Sequence, residues 1–122
     1  MTTALWCVMV AGLLPYAATG AAKWGFRGFD NNNPRAWLAA QTGFRARGNA
    51  AQANSFEAFP FFAAAVLTAS WNHAAQGTLD TLALAFVATR VLFLIAYLAN
   101  WASFRSICWF IGIGLVVRIF TL

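Results

Sequence analysis

The chain is 122 residues long, the size of one domain, and it carries three acids against eight bases, for a net charge of +5. Apolar residues make up 61% of it and charged residues only 9%, against about 25% in an ordinary globular domain, and the mean hydropathy is +0.66. So few charges cannot coat a water-exposed surface, which excludes a soluble monomer, and the bases do not form the patch with exposed aromatic residues that binds nucleic acid. We therefore expect an integral membrane protein with no nucleic-acid partner.

Four segments are predicted to cross the membrane as helices, since a span needs about 20 mostly apolar residues. Within a single domain covering 1–122, the helices are expected over about 2–22, 34–71, 79–99 and 103–121. The second opens at Pro34, a residue suited to the first turn of a helix, and runs from the water phase into the bilayer. A cleaved signal peptide is the alternative for the first segment, but no Lys or Arg precedes its apolar run. The predicted fold class is an all-α, four-helix membrane bundle.

Positive charge is concentrated in the connection between the first two helices. That connection and the start of the second helix hold Lys23, Arg27, Arg35, Arg45 and Arg47, whereas residues 72–78 contain no Lys or Arg. The positive-inside rule then predicts a multi-pass protein with a cytoplasmic first connection and both termini on the non-cytoplasmic side. Together with the lack of a transit peptide, this asymmetry favours a bacterial inner membrane.

Several polar side chains fall within the predicted spans, where a charge costs roughly 2.5–3.5 kcal/mol on insertion scales. Asn54 and Glu57 lie three apart on the second helix, Arg90 and Tyr97 lie on the third, and Arg105 opens the fourth. Arg90 is expected near the middle of its helix and the others near the cytoplasmic ends of theirs. The simplest pairing joins Glu57 to Arg90, whose long side chain can reach toward the interface. The spacing leaves open a structural ion pair, a polar ligand crevice, or an ion pathway, although the polar residues do not continue to the outer leaflet.

The sequence lacks the residue sets that metal sites and the common soluble enzymes use. There are two cysteines, Cys7 and Cys108, and one histidine, His73, and no cluster of His, Cys, Asp and Glu has the spacing of metal ligands. We therefore expect no metal ion. The sequence also lacks a glycine-rich phosphate loop and a Ser/His/Asp set.

Residues 47–60, RGNAAQANSFEAFP, resemble the signature of the MAPEG family, the membrane-associated proteins of eicosanoid and glutathione metabolism. The run ATRVLF at 88–93, followed by Tyr97, resembles the third helix of that family, and Arg105-Ser106 resembles the start of its fourth. The length of the chain, its four predicted spans and the order of these motifs resemble the family over nearly the whole chain.

The resemblance implies a homotrimer that binds glutathione between neighbouring subunits, near the cytoplasmic side. Residues matching the glutathione crevice of the family are Arg47, Asn54, Glu57, Arg90 and Tyr97. Arg105 matches the arginine that stabilises the thiolate, and Ser106 is expected to assist it. The implied function is a glutathione-dependent transferase or peroxidase acting on lipophilic electrophiles that arrive through the membrane lipid, with glutathione as cosubstrate.

Two positions favour an alternative function. Ala50 and Phe93 stand where glutathione-using members of the family usually carry Arg and Tyr. The family also contains a non-enzymatic member that binds lipid, and a shared fold does not fix activity. The alternative is therefore a non-catalytic membrane protein that binds a lipid or hydrophobic ligand.

Overall fold

The computed structural model describes residues 1–122, which form five α-helices and a short 3₁₀ turn. The helices are α1 (Thr3–Ala22), α2 (Pro34–Ala39), α3 (Gly43–Trp71), α4 (Gln76–Leu98) and α5 (Ala102–Phe120), with the 3₁₀ turn at Trp24–Phe26. Three segments are long and apolar enough to cross a membrane, namely Thr3–Phe26, Gln76–Leu98 and Ala102–Phe120. The longest helix is α3, with 29 residues.

The structure divides the helix that the sequence predicted over 34–71. The first piece, α2, ends at Ala39, and α3 begins at Gly43, where φ is +61°. A right-handed helix cannot continue through a left-handed residue, and Thr42 just before it is extended, with φ −127° and ψ 168°. The prediction of one continuous helix is therefore wrong, and α2 is a separate six-residue element.

Arginines tie the helices together at one end of the molecule. Arg45, near the start of α3, donates to the carbonyl oxygens of Ala22 at 2.9 Å and Trp24 at 2.6 Å. Arg47 donates through Nε and Nη2 to the carbonyl oxygen of Leu98 at 3.3 and 3.2 Å. These bonds satisfy carbonyl groups at the C-terminal ends of α1 and α4, where a cation also complements the helix dipole. We call this end the basic end; it contains Lys23, Arg27, Arg35, Arg45, Arg47 and Arg105.

At the opposite end, the starts of α1 and α4 are joined. The backbone N–H of Ala4 donates to Oδ1 of Asp80 at 2.8 Å, and Thr2 caps the same helix by accepting from the N–H of Leu5 at 3.3 Å. The same Asp80 oxygen accepts from Nε2 of Gln76 at 2.7 Å. The four long helices thus run alternately up and down, with α1 and α4 parallel to one another.

The apolar core lies in the half of the bundle away from the basic end. Its centre is a stacked pair, Phe62 and Phe86, with ring centroids 4.0 Å apart. On α1 the buried positions are mostly alanine and recur every three or four residues, which allows α3 to approach closely. Gly48 of α3 shows how close that approach is, because a Cβ there would lie 3.0 Å from Ala22. Between this core and the basic end, α3, α4 and α5 leave open space between them.

Candidate functional site

Three helices each contribute one stripe of residues to a pair of adjoining crevices. The α3 stripe is Asn54, Glu57, Ala58 and Phe61; the α4 stripe is Phe86, Arg90, Phe93 and Tyr97; the α5 stripe is Arg105, Trp109, Gly112 and Val116. Successive members of each stripe are one, three or four residues apart, so that each stripe occupies one face of its helix. Helical spacing therefore explains how residues distant in sequence share one site.

The first crevice has a volume of about 150 Å³ and is polar at one side only. Asn54, Glu57 and Arg90 provide its polar groups. The remaining walls are apolar or aromatic and comprise Ala58, Phe61, Phe86, Trp109, Gly112, Ile113 and Val116. This combination fits a ligand with one polar part and one apolar part.

The second crevice, of about 240 Å³, lies closer to the basic end. It is lined by Asn54, Phe93, Tyr97, Arg105, Ser106, Trp109 and Phe110. Asn54 and Trp109 line both crevices, so the two spaces adjoin along these side chains. A ligand in the second crevice is therefore next to the apolar walls of the first.

Arg90 is the buried cation of the site. Its side chain is only 4% exposed, and Nη2 donates to Oδ1 of Asn54 at 2.7 Å. The guanidinium carbon also lies 4.1 Å from the centroid of the Phe93 ring. A neutral amide and an aromatic face orient the guanidinium without neutralising its charge. Its charge remains available to an anion in the first crevice.

This pairing corrects one expectation from the sequence. We predicted an ion pair between Glu57 and Arg90, but Arg90 donates to Asn54 instead. Glu57 lines the same crevice from one turn further along α3 and is exposed. The carboxylate therefore faces open space, where it can meet a cationic group of a ligand.

Arg105 is positioned in the second crevice by an aromatic ring. Its guanidinium carbon lies 4.3 Å from the centroid of Tyr97, and Tyr97 packs edge-to-face on Phe93 with centroids 5.5 Å apart. Arg105 therefore lies over the Tyr97 ring and Arg90 over the Phe93 ring, with the two rings between the two guanidinium groups. Because a ring face uses none of the N–H donors of a guanidinium, Arg105 keeps them for a bound anion.

Two other predicted site residues have partners in their own chain. Arg47 lies outside both crevices and donates to the last turn of α4, as described above. Ser106 lines the second crevice, and its hydroxyl donates to the carbonyl oxygen of Ala102 at 3.1 Å. That hydroxyl can still accept a hydrogen bond. The crevices therefore bring together six of the predicted residues: Asn54, Glu57, Arg90, Tyr97, Arg105 and Ser106.

Trp109 was missed by the sequence reasoning, although it lines both crevices. Its position carries a signal, because it lies four residues after Arg105 and so shares a face of α5 with it.

Comparisons with known proteins identify one family. The family model described as MAPEG family matches residues 3–122, essentially the whole chain. Neither the curated proteins nor the solved structures include a match to the chain.

Proposed function

The chain belongs to the MAPEG family and is an integral membrane protein, and from that premise we propose that it is a glutathione-dependent transferase or peroxidase acting on lipophilic electrophiles. Family membership itself points to glutathione-related chemistry or lipid metabolism in the membrane. The finer assignment is supported by one observation: a crevice holding Arg105 adjoins a second, mostly apolar crevice through Asn54 and Trp109. Such a pair can hold a charged thiol and an apolar electrophile side by side.

The charges of the site suit glutathione, which has two carboxylates and one ammonium group. Arg90 and Arg105 offer guanidinium donors for carboxylates, and the exposed carboxylate of Glu57 can accept from the ammonium. Arg47 is given no contact with the peptide, because it lies outside both crevices and its Nε and Nη2 donate to the carbonyl oxygen of Leu98. Asn54 and Tyr97 supply further polar contacts to the peptide.

The proposed chemistry uses the thiolate of glutathione as the nucleophile. A free thiol has a pKa near 8.5, and a cation beside it favours the charged form. Arg105 would hold that charge, with the Ser106 hydroxyl assisting, while the thiolate attacks the electrophilic carbon and displaces its leaving group. The first crevice would hold the apolar part of the electrophile, which can enter from the lipid.

We further propose four membrane spans and a homotrimer. The fourth span would be the last 20 or so residues of α3, which are apolar after Glu57. The basic end would face the cytoplasm of a bacterial inner membrane, with both termini on the other side. Large apolar side chains are exposed on every long helix, such as Leu13, Leu67, Ile95 and Phe110, and lipid or neighbouring copies would cover them.

The test of this function is a glutathione conjugation assay with purified wild-type protein and with Arg105→Ala. If Arg105 lowers the thiol pKa by one to two units from about 8.5, the thiolate fraction at pH 7 rises about 8- to 25-fold, so its removal should lower the rate at neutral pH by about the same factor. Arg118→Ala is the matched control, since it removes an arginine from the far end of α5, roughly 20 Å away along the helix. Equal rates for wild type and Arg105→Ala would remove Arg105 from the mechanism.

A second function is favoured by three observations. Most walls of the first crevice are apolar, Arg47 is engaged with the backbone, and Ala50 and Phe93 replace a cation and a hydroxyl. These features support a non-catalytic protein that binds a lipid or hydrophobic ligand. Under that function millimolar glutathione should leave the melting temperature unchanged, whereas a clear upward shift would contradict it.

A further inference from the structure

The connection between α1 and α3 folds onto the basic end as an ordered loop. Left-handed φ values at Gly25 (+75°), Phe26 (+50°) and Gly28 (+67°) turn the chain sharply just after α1. The backbone N–H of Asn32 donates to Oδ1 of Asp30 at 2.9 Å, which closes a second turn before α2. The loop begins within the last residues of Thr3–Phe26, a segment suited to crossing a membrane, so it lies at the level where such a segment leaves the bilayer.

Aromatic rings and two cations fix the shape of this loop. Phe29 packs edge-to-face on Phe26, with centroids 5.8 Å apart, and on Trp37 at 5.2 Å. Lys23 lies 4.7 Å above the Phe29 ring, and Arg45 lies 5.7 Å from the Trp37 ring while it also bonds to the end of α1. The cluster therefore holds the loop against the ends of α1 and α3.

The outside of the loop combines exposed bases with exposed aromatic rings, which corrects the expectation from the sequence that the bases form no such patch. Trp24 is 75% exposed and Phe26 66%; Arg27, which follows Phe26 in the sequence, is exposed, and so is Arg35 in the first turn of α2. The only acid in the connection is Asp30, and its Oδ1 accepts from a backbone N–H of the same loop. The two arginines thus carry uncompensated charge in the same connection as aromatic rings of the kind that settle among lipid headgroups.

We propose that this loop surface, formed by Lys23, Trp24, Phe26, Arg27 and Arg35, binds the headgroups of acidic phospholipids. The aromatic side chains anchor the surface at headgroup depth, and the arginines pair with phosphate and other anionic groups there. The protein is therefore selective for acidic lipid around its basic end and is stabilised by it. This role is separate from the crevices, because neither crevice includes a residue of this surface.

The experiment measures which lipids stay bound to protein extracted from vesicles of equal parts phosphatidylglycerol and phosphatidylcholine, by native mass spectrometry. The wild type should retain phosphatidylglycerol in excess. Each basic residue near an acidic surface contributes about fivefold, so Arg27→Gln/Arg35→Gln should lower the retained ratio by roughly 25-fold at low ionic strength. The excess should also shrink at high salt, because exposed charges are screened.

Two further variants keep the result interpretable. Arg27→Lys/Arg35→Lys preserves both charges and should keep the preference, whereas Arg118→Gln removes one charge at the far end of α5 and should not change it. The proposal is overturned if the glutamine variant retains the wild-type ratio, if the wild type shows no preference, or if the lysine variant loses it. If a second copy of the chain covered this surface, the glutamine variant would lose its oligomer with the lipid ratio unchanged, which also overturns the proposal.

Discussion

The hydrogen bond between Arg90 and Asn54 allows a sharp test, because the sequence alone favoured a different partner. Asn54→Ala removes the acceptor of a guanidinium that is 4% exposed, at a donor–acceptor distance of 2.7 Å. A hydrogen bond to a charged group contributes about 1.5–3 kcal/mol, but interhelical hydrogen bonds in membrane proteins average about 0.6 and reach about 1.7 kcal/mol. Because Arg90 is charged and buried, we expect the upper end of the membrane range, about 1.5 kcal/mol.

The assay is a double-mutant cycle on the free energy of unfolding in mixed detergent micelles. Asn54→Ala, Arg90→Met and the double variant give the coupling energy of the pair, which should be about 1.5 kcal/mol. Glu57→Gln should change the stability by less than about 0.5 kcal/mol, because Glu57 is exposed and does not hold Arg90. A coupling near zero for Asn54, with a large loss in Glu57→Gln, would refute the assignment and restore the ion pair.

Three further substitutions, two of them paired with a control variant, test the packing and the helix ends by the same unfolding measurement, and the last is also tested by its affinity for glutathione. Gly48→Ala should destabilise the protein by about 1–3 kcal/mol, because the added Cβ would lie 3.0 Å from Ala22 of α1. The control Gly114→Ala, in open space on α5, should be neutral or stabilising. Equal effects of the two substitutions would contradict the close approach of α3 to α1. Asp80→Ala should cost about 1 kcal/mol by removing an acceptor from the first turn of α1, and Asp80→Asn should recover most of that loss. Arg47→Ala should lower the free energy of unfolding by about 1 kcal/mol, because the carbonyl group of Leu98 at the end of α4 loses its hydrogen bonds, and it should not change the affinity for glutathione. A large loss of affinity with unchanged stability would place Arg47 in the site instead.

The membrane character of the chain could be predicted from its composition, and three of its helices could be predicted from long apolar runs. The break between α2 and α3 could not be predicted from the sequence, because Pro34 predicts a helix start and Gly43 by itself only weakens a helix. Whether a glycine takes a left-handed φ depends on how the chain packs on either side of it. Local sequence preference does not contain that information.

The candidate site could be predicted as a group of residues but not as a set of pairs. Asn54 and Glu57 lie three apart on α3, so both can face α4, and spacing cannot decide which one meets Arg90. Arg47 shares a face with Asn54 at seven residues, yet this separation is about 10 Å along the helix. From there its long side chain reaches the end of α4 rather than the crevices.

The measurement that tests the proposed chemistry most directly is the pH titration of glutathione thiolate on the protein, followed by ultraviolet absorbance at saturating glutathione. With the wild type, the thiolate should appear at least about one pH unit below the value near 8.5 of a free thiol. With Arg105→Ala the midpoint should return toward that of the free thiol. A wild-type midpoint equal to that of free glutathione, or the same midpoint in both proteins, would contradict the role proposed for Arg105.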